Sequence, residues 1–204
     1  MSSLEDILGD LSRGVGALSD RATSALFAAA AAALQPAFVE WASLDDKGGK
    51  HNVRIPLLEQ AIEIGFELAR SGATEADLVD ILQRLEWITP GRVRSAASST
   101  AAQDCLICAD VALRVHVEPD FARGPVIEYA LEPILLSATE RVATVPTPDD
   151  GSDPPARADA LLEDSRVLAA VEFMWFAIMR LRSKPDPAAA TIDEIRKRAK
   201  VLMP

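Results

Sequence analysis

The sequence predicts an all-α protein in which eight or nine helices form a single bundle. Alanine, the residue with the highest helix propensity, occupies 35 of the 204 positions. Apolar residues recur at helical spacing, and long runs of the β-branched residues that favour strands are missing. The hydrophobic fraction of 49% is enough to bury a core, and it excludes a wholly disordered chain.

The first helix is short, and both of its ends are marked in the sequence. Ser3 can cap it, because a serine hydroxyl accepts from the free N–H groups of a helix N-terminus, and Gly14 and Gly16 end it. We therefore expect a short helix and turn over residues 1–18, followed by an all-α helical domain over residues 19–204.

The second helix is expected to begin at Ser19 or Asp20 and to run through a block of alanines to about Leu34. Pro36 should break or restart it, because proline lacks the N–H group that an interior helical position needs. The polar residues 44–52 then predict a loop.

Six further helical segments are expected in the rest of the chain, and a proline-rich loop is predicted over residues 144–157. These segments run from Asn52 to Arg70, from Thr74 to just before Pro90, from Ser95 to His116, over residues 121–143, from Asp159 to Arg182, and from a Thr191–Glu194 capping box to about Leu202.

Two of these helices are predicted to form the centre of the bundle. On the helix that ends at Arg70, the charged residues occupy an arc of about 80°, and the other positions are almost wholly apolar. The charged residues are Glu59, Glu63, Glu67 and Arg70. The helix around Trp175 carries one charge, Glu172, between Leu168 and Met179. Helices that are apolar on most sides are buried.

Charge indicates the kind of partner and the compartment. The chain has 31 acidic and 21 basic side chains, for a net charge of −10. This balance repels nucleic-acid phosphates and suits a basic protein partner. The first twenty residues carry acids where a signal peptide needs bases, and the uncharged run over residues 22–39 is weakly apolar for a membrane span. We expect a cytoplasmic protein that binds neither nucleic acid nor membrane.

Cys105 and Cys108 form a Cys-x-x-Cys motif, which is typical of redox pairs and of zinc sites. His116 lies about 16 Å along the same predicted helix, too far to share a zinc ion with both thiols. All-α thiol peroxidases of the alkylhydroperoxidase-D type carry a histidine four residues after the second cysteine, where this chain has Ala112. We favour two buried, inert thiols, and thiol redox chemistry stays the alternative.

The acidic residues allow several interpretations. Glu59, Glu63 and Glu67 are expected to form a solvated stripe that can face a partner, because the chain has no Glu-x-x-His pair to complete a carboxylate metal site. Glu172 is a lone acid in an apolar run, so it should pair with an arginine or line a pocket beside Trp175. No phosphate-binding loop or nucleophile motif is present, and no metal or cofactor is predicted.

Two stretches resemble a known family. One is the segment from Phe27 to Ala69, with an apolar helix, a proline, a glycine-containing loop and a second helix. The other runs from Asp164 to Val167 and continues through Trp175 to Leu181. Their order and spacing are similar to those of the YjaG-like bacterial family of unknown function. The resemblance implies an all-α fold and no particular activity.

The function expected from the sequence is an acidic protein-interaction module, for example an immunity protein that neutralises a bacterial toxin. The net charge and the lack of catalytic motifs favour this interpretation. A thiol redox enzyme that uses Cys105 and Cys108, and a small-molecule binder with a pocket near Glu172 and Trp175, are the alternatives.

Overall fold

The computed structural model describes residues 3–44, 51–88, 97–143, 160–183 and 186–203. These residues form eight α-helices and two 3₁₀ turns, with no strand among them, so the predicted all-α bundle is confirmed. The α-helices are α1 (Leu4–Gly16), α2 (Asp20–Leu44), α3 (His51–Ser71), α4 (Leu78–Ile88), α5 (Ala97–Arg114), α6 (Ile127–Ala143), α7 (Ser165–Arg182) and α8 (Ala189–Arg198). The 3₁₀ turns span Leu161–Glu163 and Ala199–Leu202.

Helix α2 is the most deeply buried element of the bundle. Every residue from Ala22 to Ala31 is fully buried. The helix packs chiefly against α3 and α5, and also against α8. Alanine side chains allow neighbouring backbones to approach closely on all sides, so an alanine-rich helix can occupy the middle of a bundle.

The observed centre differs in part from the predicted one. Helix α3 does lie beside α2 and α5, as expected for a central helix. Helix α7 packs one face against the core, but it exposes Leu168, Glu172 and Met179 on the other and so lies at the flank. The prediction rested on how few charged residues these two helices carry, whereas the small side chains of α2 allow neighbouring helices to surround it.

A close approach of three helices occurs at Gly65 of α3. A Cβ atom at this position would lie 3.0 Å from the Cβ of Ala28 on α2 and 3.1 Å from the Cβ of Ala112 on α5. Neither alanine has a longer side chain that could move aside. Gly65 therefore sets the distance between α3 and the α2–α5 pair.

Replacing Gly65 by valine should destabilise the protein by about 1–3 kcal/mol, because the added carbons overpack this junction. Urea denaturation monitored by far-UV circular dichroism measures the loss. Gly16 is the control, because a Cβ atom added there would have no neighbouring atom within 4 Å, and Gly16→Ala should change stability much less. Equal losses in the two variants would contradict a tight junction at Gly65.

Several helix ends form as the sequence predicts. The Ser3 hydroxyl accepts from the backbone N–H of Asp6, and the Asp6 carboxylate accepts from Ser3 in return. The start of α4 differs from the predicted start at Thr74: the helix begins at Leu78, and Asp77 accepts from the N–H groups of Val79 and Asp80 at 3.0 and 3.1 Å. Gly72 ends α3 with a φ of 73°, which glycine adopts without strain.

Other boundaries differ from the prediction. Pro36 lies inside α2, and the helix continues to Leu44 because Phe38 and Ala42 on the far side of the proline are buried in the core. The predicted capping box at Thr191 and Glu194 does not form, since α8 begins two residues earlier with Ala188 at its cap position. The proline-rich loop predicted over residues 144–157 lies outside the described residues.

Helix α2 is long and apolar enough to cross a membrane by length and composition, with a mean hydropathy of 1.5 in its best window. This differs from the sequence analysis, which judged the uncharged run over residues 22–39 too weakly apolar. In the fold, 72% of that window is buried. Helix α2 thus has the burial of a core helix, which passes the same hydropathy criterion.

Candidate functional site

A shallow acidic groove runs between α3 and the turn that leads into α4. It encloses about 470 Å³, and its floor includes the apolar side chains of Ile64 and Ala76. Three carboxylates and two polar side chains complete the lining. The lining residues of this acidic groove are Gln60, Glu63, Ile64, Glu67, Thr74, Glu75 and Ala76.

The predicted stripe of Glu59, Glu63 and Glu67 is exposed, and two of its three carboxylates line the groove. Glu63 accepts a hydrogen bond from Arg196 at 2.7 Å, and Glu67 accepts one from the Thr74 hydroxyl at 2.9 Å. Glu59 lies outside the lining and accepts from the side-chain amide of Gln35. The groove therefore presents carboxylates that are held in place and still reach solvent.

Glu75 was not singled out by the sequence analysis, although it supplies the third carboxylate of the groove. It follows the end of α3 and approaches Glu63 and Glu67 only because the chain turns back at Gly72. Helical spacing relates residues on one helix, so it could not bring Glu75 into the set.

The outer face of α4 carries an exposed tryptophan that the sequence analysis also missed. Trp87 is 89% exposed and Val79 is 50% exposed. The buried residues of α4 form a regular stripe with helical spacing, and Trp87 lies on the opposite side of the helix. The buried stripe consists of Ile81, Leu82, Leu85 and Ile88. A helical wheel of this segment would have identified Trp87 as an outward-facing aromatic residue.

Cys105 and Cys108 are both fully buried, and both are free thiols. The Cys105 thiol donates to the backbone carbonyl of Ala31 at 3.3 Å. Burial raises the pKa of each thiol well above its ordinary value, since the anionic form loses its hydration. A redox cysteine needs an accessible thiolate, so this pair is better suited to packing than to thiol exchange.

Both thiols should therefore be inert toward Ellman's reagent in the native protein at pH 8, and both should react once the protein is denatured in guanidinium chloride. The released chromophore counts the thiols directly. One or two fast-reacting thiols in the native protein would contradict the packing role and favour the redox alternative.

Asp104 is a buried acid that the sequence analysis did not identify. It is 2% exposed, and its Oδ2 atom has no hydrogen-bond partner among the described residues. Burial, and then the nearby carboxylate of Glu132, raise the pKa of Asp104 to about 8. Asp104 is therefore largely protonated at neutral pH.

Ser24 and His116 are brought within hydrogen-bond distance by the packing of α2 against α5. The Ser24 hydroxyl donates to the carbonyl of Ala112 at 2.6 Å, so its contact of 2.8 Å with His116 Nε2 has the ring as donor. Burial lowers the pKa of His116, which keeps the ring neutral. A serine nucleophile must give its proton to the histidine, and Ser24 is fully buried, so this pair has a structural role.

A second cavity of about 340 Å³ lies between α7 and the C-terminal 3₁₀ turn, and we call it the basic pocket. It includes Glu172, one of the two residues predicted to line a pocket. Trp175 is half-buried and absent from the lining, and Phe173 and Phe176 take its place. Its residues are Ala169, Glu172, Phe173, Phe176, Lys197, Arg198, Lys200 and Val201.

The described part of the chain contains no group of three or more histidine, cysteine, aspartate or glutamate side chains arranged to hold a metal ion. The three carboxylates of the acidic groove therefore do not form such a group. Their arrangement supports contacts with a cationic side chain, which needs one or two carboxylates at a time.

Comparison with known proteins gives one structural relative. No protein-family model matches the chain, and no curated protein matches it significantly. The fold is similar to the crystal structure of a DUF416 family protein from Shewanella baltica OS155. The TM-score is 0.69 over 92% of each chain, at 15% identity. At 15% identity the similarity shows the fold alone. It is consistent with an uncharacterised all-α family, and it does not identify the YjaG-like family specifically.

Proposed function

We propose that this protein is an acidic interaction module that binds a basic protein through the acidic groove and the outer face of α4. An immunity-type protein that neutralises a bacterial toxin in the cytoplasm is the concrete form of this proposal. The observation that carries it is the groove itself, whose lining combines three carboxylates with the apolar side chains of Ile64 and Ala76.

The groove matches the chemistry of a lysine or arginine side chain. The aliphatic part of such a side chain can lie on Ile64 and Ala76, while its charge pairs with Glu63, Glu67 or Glu75. A net charge of −10 on the whole chain adds long-range attraction for a basic partner.

An intramolecular contact supports this mode of binding. The guanidinium of Arg196 pairs with Glu63 at 2.7 Å and lies 4.4 Å from the ring centre of Phe66. One arginine is thus already bound at the edge of the groove through a carboxylate and an aromatic ring. A partner's arginine can pair with Glu67 or Glu75 through a similar charge-assisted hydrogen bond.

The experiment is a pull-down from the native host with three versions of the tagged protein: the native chain, a groove variant and a surface control. The groove variant combines Glu63→Gln, Glu67→Gln and Glu75→Gln. The control combines Glu128→Gln, Glu140→Gln and Glu163→Gln, which remove the same charge from exposed positions on α6 and the first 3₁₀ turn.

The native chain and the control should retain a stoichiometric basic protein at about 50 mM salt and release it at about 0.5 M, because salt screens charge pairs at exposed surfaces. The groove variant should retain none. Partner loss in both variants would indicate dependence on net charge alone. Retention by all three versions at both salt concentrations would contradict the proposal.

Trp87 is proposed as the apolar anchor of the same interface, because exposed tryptophans are frequent hot spots in protein–protein contacts. Trp87→Ala should change the unfolding free energy by less than about 0.5 kcal/mol, since the side chain is 89% exposed. It should weaken binding of the purified partner by at least about tenfold in calorimetric titration. Undiminished affinity would remove α4 from the interface.

The thiol redox alternative has less support, because both cysteines are fully buried and lie in the helix interior, away from the N-terminus of α5. Kinship with the YjaG-like family is likewise proposed, and it is supported by the shared all-α fold of the DUF416 protein. That kinship adds no activity to the proposal.

A further inference from the structure

The charge of this protein is distributed unevenly along the chain. Residues 180–200 carry seven basic and three acidic side chains, a net charge of +4 in a chain whose total is −10. The basic pocket lies in this region, between α7 and the last turn of the chain. The basic pocket thus combines three cationic side chains with an aromatic floor, formed by Phe173 and Phe176, in a protein whose net charge is acidic.

Two phenylalanines form the apolar part of the basic pocket. Both belong to its lining, where Phe173 is buried and Phe176 is half-buried. Ala169 and Val201 extend the same apolar surface. Ligand cavities of this size class are mostly apolar and contain a few polar groups that orient the ligand.

Three cationic side chains surround this floor. Arg198 pairs with Glu194 at 2.9 Å and lies 3.9 Å from the ring centre of Phe176, so its guanidinium is fixed over the ring. Lys197 and Lys200 form no ion pair with any residue that the structure describes. Their ammonium groups are available to an incoming anion.

We propose that the basic pocket binds a small aromatic acid, with its ring against Phe173 and the stacked Arg198–Phe176 pair and its carboxylate at Lys197 and Lys200. This site is separate from the acidic groove. Arg196, which pairs with Glu63 of the groove, and Arg198, which lines the pocket, point about 160° apart around the axis of α8, since two residues rotate by about 200°. The proposal therefore stands or falls independently of the proposed protein interaction.

The carboxylate of Glu172 limits the negative charge that a ligand of the basic pocket can carry. This carboxylate is exposed and lies in the same lining as the three cations. It repels a second negative charge, so a singly charged acid fits better than a polyanion such as a nucleotide triphosphate. A hydroxyl group on the ligand's ring can donate a hydrogen bond to the Glu172 carboxylate.

The test is a titration of the ¹⁵N-labelled protein, followed by NMR, with a panel of benzoate, 4-hydroxyphenylacetate and indole-3-acetate. The neutral amide of each acid and inorganic phosphate are the comparison ligands. At least one acid should give saturable shifts at Phe173, Phe176 and residues 197–201. Its amide should bind at least about tenfold more weakly, since it lacks the charge.

Two variants test the role of the lysines. The combination of Lys197→Gln and Lys200→Gln should weaken binding of the acid at least about fivefold and leave that of the amide unchanged. Both lysines are exposed, so the fold should survive. The combination of Arg84→Gln and Arg166→Gln removes two positive charges from α4 and α7 outside the pocket lining, and should not change binding.

Any of the following results would overturn the proposal. The first is that no acid in the panel shifts the pocket residues. Another is that the amide binds as tightly as the acid. The same holds if the arginine control weakens binding as much as the lysine variant does. The last is that phosphate alone gives the same shifts at the same concentration, because the aromatic floor would then contribute nothing.

Discussion

Replacing Phe27 by alanine is expected to lower the unfolding free energy by about 3–5 kcal/mol, among the largest effects of any single substitution in this protein. Phe27 is fully buried in the middle of α2, the helix that α3 and α5 enclose. Removing its ring leaves a cavity that the surrounding alanines are too short to fill. Urea denaturation monitored by circular dichroism measures the loss.

Trp175→Ala is the matched control, because it removes a larger aromatic ring from α7. Trp175 is half-buried at the flank of the bundle, so the loss should be clearly smaller than for Phe27. A larger loss at Trp175 than at Phe27 would show that α7, and not α2, is the centre of the core.

Replacing Asp104 by asparagine is expected to change how stability depends on pH. In the unfolded chain this carboxyl titrates near its ordinary value of 3.8, and in the folded protein burial raises its pKa to about 8. Between these values the folded state keeps a proton that the unfolded state releases. Asp104 therefore makes the native protein less stable as the pH rises from about 4 to 8.

Asparagine does not titrate, so this part of the pH dependence should disappear in Asp104→Asn. The two proteins should have similar stability near pH 4. As the pH rises from about 4 to about 8, the unfolding free energy of the variant should increase relative to that of the native chain by up to about 1.4 kcal/mol for each pH unit. Urea denaturation at several pH values measures the difference.

Glu128→Gln, at an exposed position on α6, is the control for the loss of a carboxyl group, and it should give no such trend. A constant difference between Asp104→Asn and the native chain from pH 4 to 8 would mean that the folded pKa of Asp104 is close to its ordinary value. The buried acid would then be better solvated than its surroundings indicate.

Local signals predicted much of the fold, because helix ends depend on a few neighbouring residues. Ser3 accepts from a backbone N–H group at the start of α1, as the sequence indicated, and Gly72 ends α3 with a positive φ, which is common for glycine at helix ends. The predicted burial of Cys105 and Cys108 is also confirmed.

The centre of the bundle could not be derived in the same way. Which helix is surrounded depends on how closely its neighbours approach, and this distance is set by contacts between residues far apart in the chain. Gly65, Ala28 and Ala112 make such a contact. Packing in the core also keeps α2 helical beyond Pro36, where the low helix propensity of proline alone predicts a break.

The candidate site was predictable in part. Glu63 and Glu67 share one face of a helix, so the periodicity of the sequence identified them. Glu75 joins them only through the turn at Gly72. Trp87 could have been found, since it lies off the apolar stripe of α4, whereas Asp104 required knowledge of how α5 packs against α6 and its neighbour Glu132.

The claim that the acidic groove receives a basic side chain can be tested without knowing the partner. A short arginine-containing peptide, titrated into the ¹⁵N-labelled protein at about 50 mM salt, reports binding residue by residue. We expect saturable NMR shifts at Glu63, Glu67 and residues 74–76, which disappear at high salt and in the triple glutamine variant. Shifts spread evenly over all exposed acids, or centred on α6, would contradict the claim.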